Sequence, residues 1–114
     1  MVIPGRSVGI RNAPYSTSFA INDFTYADTN NEAQVSVPHG VGFVWATMLW
    51  DMTWALIDEY GYDADLYNGT GGNNIAMQLV IDGLKMQSCN PGFIDGRDAI
   101  LAAETGKLKQ MDKF

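Results

Sequence analysis

His39 is the only histidine of this chain, and it lies in Pro38-His39-Gly40-Val41-Gly42-Phe43-Val44-Trp45-Ala46, directly ahead of the longest apolar run. An imidazole titrates near neutrality and can donate a hydrogen bond to an anionic intermediate or move a proton. Taken alone, a single histidine at a helix entrance more simply caps or braces that helix. Arg11 is the second candidate, in Gly9-Ile10-Arg11-Asn12-Ala13-Pro14-Tyr15-Ser16-Thr17. Its guanidinium fork suits a substrate carbonyl or carboxylate. The plain alternative is a solvated arginine, or one paired with Asp23 or Asp28.

Other polar groupings argue against familiar chemistries. Asp63, Asp65 and Asn68 lie close together in a glycine-bearing stretch, which invites a calcium reading, but the spacing lacks the glycine and the bidentate glutamate of an EF-hand loop. A solvated connection between helices accounts for them. Asn68-Gly69-Thr70 matches an N-glycosylation sequon, which matters if the protein is eukaryotic and secreted. Asp58 and Glu59 are adjacent and cannot share a helix face, so they do not form an acid and base pair. There is no Gly-rich phosphate loop, no Gly-x-Ser-x-Gly elbow and no Cys-His pair. One histidine cannot supply a two-histidine zinc core, and the single Cys89 cannot close a disulfide within the chain.

The elements that must carry these residues follow from composition and periodicity. With 114 residues, 46% of them apolar, residues 1–114 are expected to form a single small domain. Seven basic against thirteen acidic residues, with no basic cluster, leave no footprint for nucleic acid or anionic lipid. The window 41–57 is interrupted by Thr47, Asp51 and Thr53 and closed by Asp58-Glu59, short and polar beside a bilayer span of about 20 residues. It reads as a buried helix of a soluble protein, with no membrane partner. No basic, then apolar, export signal opens the sequence.

Residues 1–38 are rich in turn formers and read as irregular, with a short extended piece over 16–26 that turns Phe19, Ile21 and Phe24 inward. The helical core is 39–104. Trp45, Met48, Leu49, Met52 and Leu56 define one face of a helix over 41–60, and Phe43, Trp50, Trp54 and Ile57 a second, as in an enclosed central helix. Gly61 is its stop. Asn73 is positioned to cap a second helix, which carries Ile75, Met77, Leu79, Val80 and Leu84 and ends near Met86 before the turn Cys89-Asn90-Pro91-Gly92. A third helix begins at Ile94 or Asp95 with Ala99, Ile100, Ala102 and Ala103 as its core side. Beyond Glu104 the pattern ends, and 105–114 is a divergent tail. The fold class is mainly α, a small bundle-like lobe of about three helices.

Four blocks in order, 9–17, 38–46, Leu79-Val80-Ile81-Asp82-Gly83-Leu84-Lys85 and Gly96-Arg97-Asp98-Ala99-Ile100-Leu101, resemble the C-terminal helical lobe of fungalysin-type zinc metallopeptidases, relatives of thermolysin. The resemblance runs from about Gly9 to Ala103. It implies a secreted endopeptidase that hydrolyses internal peptide bonds, with zinc held by a His-Glu-x-x-His helix and a later glutamate, all on segments preceding the part seen here. This chain would bind no cofactor of its own, and it would be a fragment, inactive without that zinc-binding lobe. His39 matches the histidine that donates to the oxyanion of the tetrahedral intermediate, and Arg11 an arginine that binds the substrate carbonyl on the primed side. The implied partners are the zinc-binding lobe and a polypeptide substrate. The chain departs from its relatives at Gln34, where thermolysin-like enzymes place an aspartate that orients the histidine, at Phe43, where many have glutamate or threonine, and at Cys89, whose usual partner is missing. A lobe built to pack on another exposes apolar surface when isolated, so a homo-oligomer covering the face around His39 and the first helix is expected. The rival reading is a non-catalytic interaction or self-associating module derived from such a peptidase. A carrier for apolar ligands built around the three tryptophans is weaker, since a core explains them equally well.

Overall fold

The computed structural model describes residues 9–107, which contain a 3₁₀ turn (Tyr26–Asn30) and three helices, α1 (His39–Tyr60), α2 (Gly72–Met86) and α3 (Phe93–Lys107). No strand occurs among the described residues. The mainly α lobe with an irregular N-terminal stretch is therefore what the periodicity dictates. Helix ends differ only slightly from expectation, except that α3 continues to Lys107 past the last apolar position. The tail beyond it lies outside the described residues. The chain divides into two compact units, one up to Trp54 and one from Ala55, and α1 contributes to both.

In the first unit the irregular stretch covers part of α1. Phe43 and Val44 are buried, with Phe24 packed edge-on to Phe43 at 5.2 Å between ring centroids and Tyr15 tilted against it at 5.6 Å. The expected extended piece is not there. The amides of Ile21 and Asn22 both donate to the Ser18 carbonyl, at 3.0 and 2.9 Å, so the chain turns instead of running straight. That turn leaves Phe19 70% and Ile21 55% exposed, against the expectation that they face inward. Asn22 takes the interior position. Farther along, Thr25 donates its amide (2.6 Å) and hydroxyl (3.1 Å) to the Asp28 carboxylate, which closes the 3₁₀ turn that the sequence pattern does not reveal.

Less of α1 is enclosed than its apolar faces imply. Phe43, Val44, Thr47 and Leu56 are buried, whereas Trp50 and Trp54 meet edge to face with ring centroids 6.0 Å apart and remain 38% and 40% exposed. By length and composition alone α1 could cross a membrane. Thr47, in the middle of the helix, is nonetheless covered by polypeptide, because Asn22 bonds to it.

In the second unit Gly61 ends α1 at φ +80°, the left-handed conformation expected of a helix stop. Gly72 opens α2 against the end of α1. Its amide donates to the Gly61 carbonyl at 2.6 Å, and a Cβ there would overlap the Leu56 carbonyl and the Ile57 amide nitrogen. Among the described residues Leu56, Ala76, Leu79, Ala99 and Ala103 are the buried apolar side chains of this unit, and Gly83 of α2 faces Ile100 of α3. Ala102, expected on the core side, is exposed, as are Met77 and Leu84. Asn90, at φ +57°, makes the turn before α3, whose first turn is closed by the Asp95 carboxylate accepting from the Gly92 amide at 2.9 Å.

Candidate functional site

The candidate site lies in the first unit, where polar side chains fix the backbone that carries Arg11 and His39. Asn22 is the central fastener. It is 4% exposed, and its Nδ2 donates to the Pro14 carbonyl at 3.1 Å and to Thr47 Oγ1 at 3.2 Å, while its Oδ1 accepts from the Phe24 amide at 3.2 Å. Thr47 Oγ1 in turn donates to the Phe43 carbonyl at 3.0 Å. A buried amide with each of its groups engaged is a strong constraint, because an unmet polar group there carries a desolvation penalty.

A second fastener acts closer to the candidates. Asn12 Nδ2 donates to the Gln34 carbonyl at 2.6 Å. Asn12 follows Arg11 directly, and Gln34 precedes His39 by five residues. The bend that bears Arg11 and the approach to α1 that bears His39 are thus bonded to each other. Next to this bond Asn12, Asp23, Phe24, Asp28 and Gln34 line a polar depression of about 280 Å³.

His39 is the first residue of α1 and is exposed. It does not cap the helix. Ser36 does so, its Oγ accepting from the Gly40 amide at 3.2 Å and its carbonyl from the Val41 amide at 3.1 Å, behind a turn in which Val35 is buried. Arg11 is exposed as well. Among the described residues no ion pair links it to Asp23 or Asp28, and Asp28 is already engaged by Thr25. Neither His39 nor Arg11 has a side-chain hydrogen bond among the described residues. One imidazole and one guanidinium carried on mutually bonded segments can donate hydrogen bonds to carbonyl or anionic oxygens.

The acidic loop of the second unit has a different character. Asp63 accepts from the Asp65 amide at 2.9 Å and the Thr70 amide at 3.1 Å, and Asp65 from the amides of Tyr67 and Asn68 at 3.1 and 3.0 Å. The two backbone donors, Asp65 first and Thr70 second, hold the Asp63 carboxyl below its usual range. Asn73 does not cap α2 as expected. It clamps Asp63, accepting from its amide at 3.0 Å and donating to its carbonyl at 2.9 Å, while Gly71 stands at the cap position and Asn74 accepts from the Gly71 amide. The loop's own amides therefore account for these carboxylates. Among the described residues no group of three or more His, Cys, Asp or Glu is placed to hold a metal ion. Cys89 is free and exposed.

Of the residues that fix this backbone, Asn12 and Asn22 are not evident from the sequence, while Gln34 stands out there only as a departure from the aspartate of thermolysin-like enzymes, not for the backbone carbonyl it offers to Asn12. Asn12 offered one signal, its adjacency to Arg11. Asn22 read only as a turn former, since its partners lie 8 and 25 residues away.

A profile of the fungalysin metallopeptidase family (M36) matches residues 2–113. Over 111 residues the chain is 47% identical to extracellular metalloproteinase 2 of Arthroderma gypseum and 46% identical to extracellular metalloproteinase 2 of Trichophyton tonsurans, covering 92% of this chain in each case. It is 46% identical over 106 residues to extracellular metalloproteinase MEP of Neosartorya fischeri, covering 88% of this chain. The matched part spans only 16–17% of the length of these relatives.

Proposed function

Because the chain belongs to the fungalysin metallopeptidases, we propose that it is the C-terminal helical lobe of an extracellular zinc metalloendopeptidase and supplies two side chains to the peptide cleft. His39 donates a hydrogen bond to the oxyanion that develops on the scissile carbonyl, and Arg11 holds a substrate carbonyl on the primed side. The observation that supports this reading is the contrast around them. Both side chains are exposed and unbonded among the described residues, while the asparagines and serine beside them are spent on fixing the backbone.

An oxyanion donor is effective when its position is set before the charge appears. Here the cap by Ser36 and the bond from Asn12 to Gln34 fix the backbone on both sides of His39. The described side chains do not fit a zinc site, so the metal and the general base are assigned to sequence outside this chain and no step is routed through them here. Alone, the chain is inactive.

The rival, an interaction module without catalysis, has its own support. Met77, Ile81 and Leu84 recur along α2 at helical spacing and are 46%, 51% and 56% exposed, a stripe open to another protein surface. Mixing the chain with a separately produced zinc-binding lobe of a relative separates the readings. Activity should appear only on mixing and fall about a hundred- to a thousandfold in His39→Ala, with KM little changed. Association with an unchanged rate in the variant would overturn the role of His39. Absence of association would favour the interaction module.

A further inference from the structure

We propose that Asn68 is N-glycosylated in the secretory pathway. The inference rests on the reading that the parent protein is exported. Asn68-Gly69-Thr70 is the single Asn-x-Ser/Thr sequon of the chain, and the relatives are named as extracellular proteins of fungi, which are eukaryotes.

The structure presents the sequon for modification. Asn68 and Thr70 are both exposed, in the loop between α1 and α2. What holds that loop is backbone: the Asn68 amide donates to Asp65 Oδ1 at 3.0 Å, the Gly69 amide to the Asp65 carbonyl at 3.0 Å, and the Thr70 amide to Asp63 Oδ2 at 3.1 Å. Among the described residues no hydrogen bond uses the Asn68 carboxamide or the Thr70 hydroxyl. A glycan can therefore be attached without breaking a bond that shapes the loop. Tyr67, beside the sequon, is 96% exposed, and an aromatic face left in water is a stacking surface for the first sugar ring. In the transfer, Asn68 Nδ2 forms a bond to the anomeric carbon of a lipid-pyrophosphate-linked oligosaccharide. The bond from that carbon to the pyrophosphate breaks, the lipid pyrophosphate leaves with the electron pair, and Nδ2 gives up one proton.

The test expresses the gene product that carries this chain in a fungal secretory host, with mass spectrometry of the peptide holding Asn68 from both medium and cells. Glycopeptide is expected, together with a shift in mobility after endoglycosidase treatment. Enzymatic release of the glycan in heavy-oxygen water should leave a labelled aspartate at position 68. A parallel incubation in heavy-oxygen water without the enzyme separates the glycan from spontaneous deamidation of the Asn68-Gly69 pair, which would label both samples alike. Asn68→Gln and Thr70→Ala should each abolish the shift, and Thr70→Ser should keep it. None of the three removes a hydrogen bond seen in the loop. Unmodified Asn68 in both pools overturns the proposal wherever the protein is found, and protein confined to the cells counts separately against export.

Discussion

In the loop between α1 and α2 the carboxylates of Asp63 and Asp65 accept four backbone amides, and the carboxamides of Asn73 and Asn74 close the remaining gaps. At the mouth of α1, by contrast, the one imidazole and the Arg11 guanidinium stand in solvent, and the structural work falls to Asn12, Asn22 and Ser36. Both regions are polar and turn-rich, and by composition alone the acidic loop looks the better binding site. Hydrogen-bond accounting reverses that order. A polar side chain whose lone pairs are consumed by its own loop is explained by folding, whereas exposed donors on a stiffly held backbone remain open to solvent or to a partner.

The largest effect that would test this contrast is on rate. In the assembled peptidase His39→Ala should lower activity about a hundred- to a thousandfold, yet move the stability of this chain by no more than about 0.5 kcal/mol, as for an exposed side chain with no bonds to lose. Thermal unfolding of the variant alone checks the second half. A clear loss of stability would place His39 with the structural residues and erase the distinction. In the second unit the opposite is expected of Gly72→Ala, because the new Cβ meets backbone of α1 and not a movable side chain. Its destabilisation should reach the upper end of the about 1–3 kcal/mol typical of overpacking, read from denaturant unfolding. A neutral result would mean that the tight join between α1 and α2 is absent in solution.

Asn22→Ala sharpens the comparison within the first unit. The variant leaves the Pro14 carbonyl and the Phe24 amide without their side-chain partner, and about 1–3 kcal/mol of destabilisation is expected. In the assembled peptidase it should also reduce activity, through loss of order in the segment that carries Arg11. Unchanged stability would show that the cover over α1 is held by the ring contacts of Tyr15 and Phe24 with Phe43.

The helices were legible because their signals are local: apolar spacing for α1 and α2, Gly61 as a stop, the Asn90-Pro91 turn before α3. The cover over α1 was not, since it depends on Asn22 reaching Pro14 and Thr47 and on Asn12 reaching Gln34, pairings 8, 25 and 22 residues apart that leave no periodic trace. Phe19 and Ile21 differ for a local reason: their apolar character suits an inward face, but the turn closed on the Ser18 carbonyl points them out. Asn73 departs from its expected role for a subtler reason. An asparagine at a helix start is a good cap, but here Gly71 occupies the cap and Asn73 sits one position inside α2, where its carboxamide reaches back across the loop to Asp63. For the candidate site, residue type alone favours a plain structural role for His39 and Arg11 and the family resemblance marks them, whereas what fixes the backbone beside them is visible only in three dimensions.

The smallest effect expected is on the pH response of the acidic loop. The amides of Asp65 and Thr70 favour the charged form of Asp63, so its folded pKa lies below the ordinary 3.8. With a depressed folded value, the contribution of this carboxylate is fully present above the unfolded pKa and is lost as the pH falls through the folded one. The amide resonances of Asp65 and Thr70 should therefore titrate together in an acid NMR series, with a shared midpoint below 3.8, and the transition should vanish in Asp63→Asn. Because the carboxylate is solvent-exposed, global stability should barely register the change. Independent midpoints, or one at or above the ordinary value, would mean that the loop carboxylates are as open to outside partners as His39 and Arg11, and the contrast between the two units would fail at the loop.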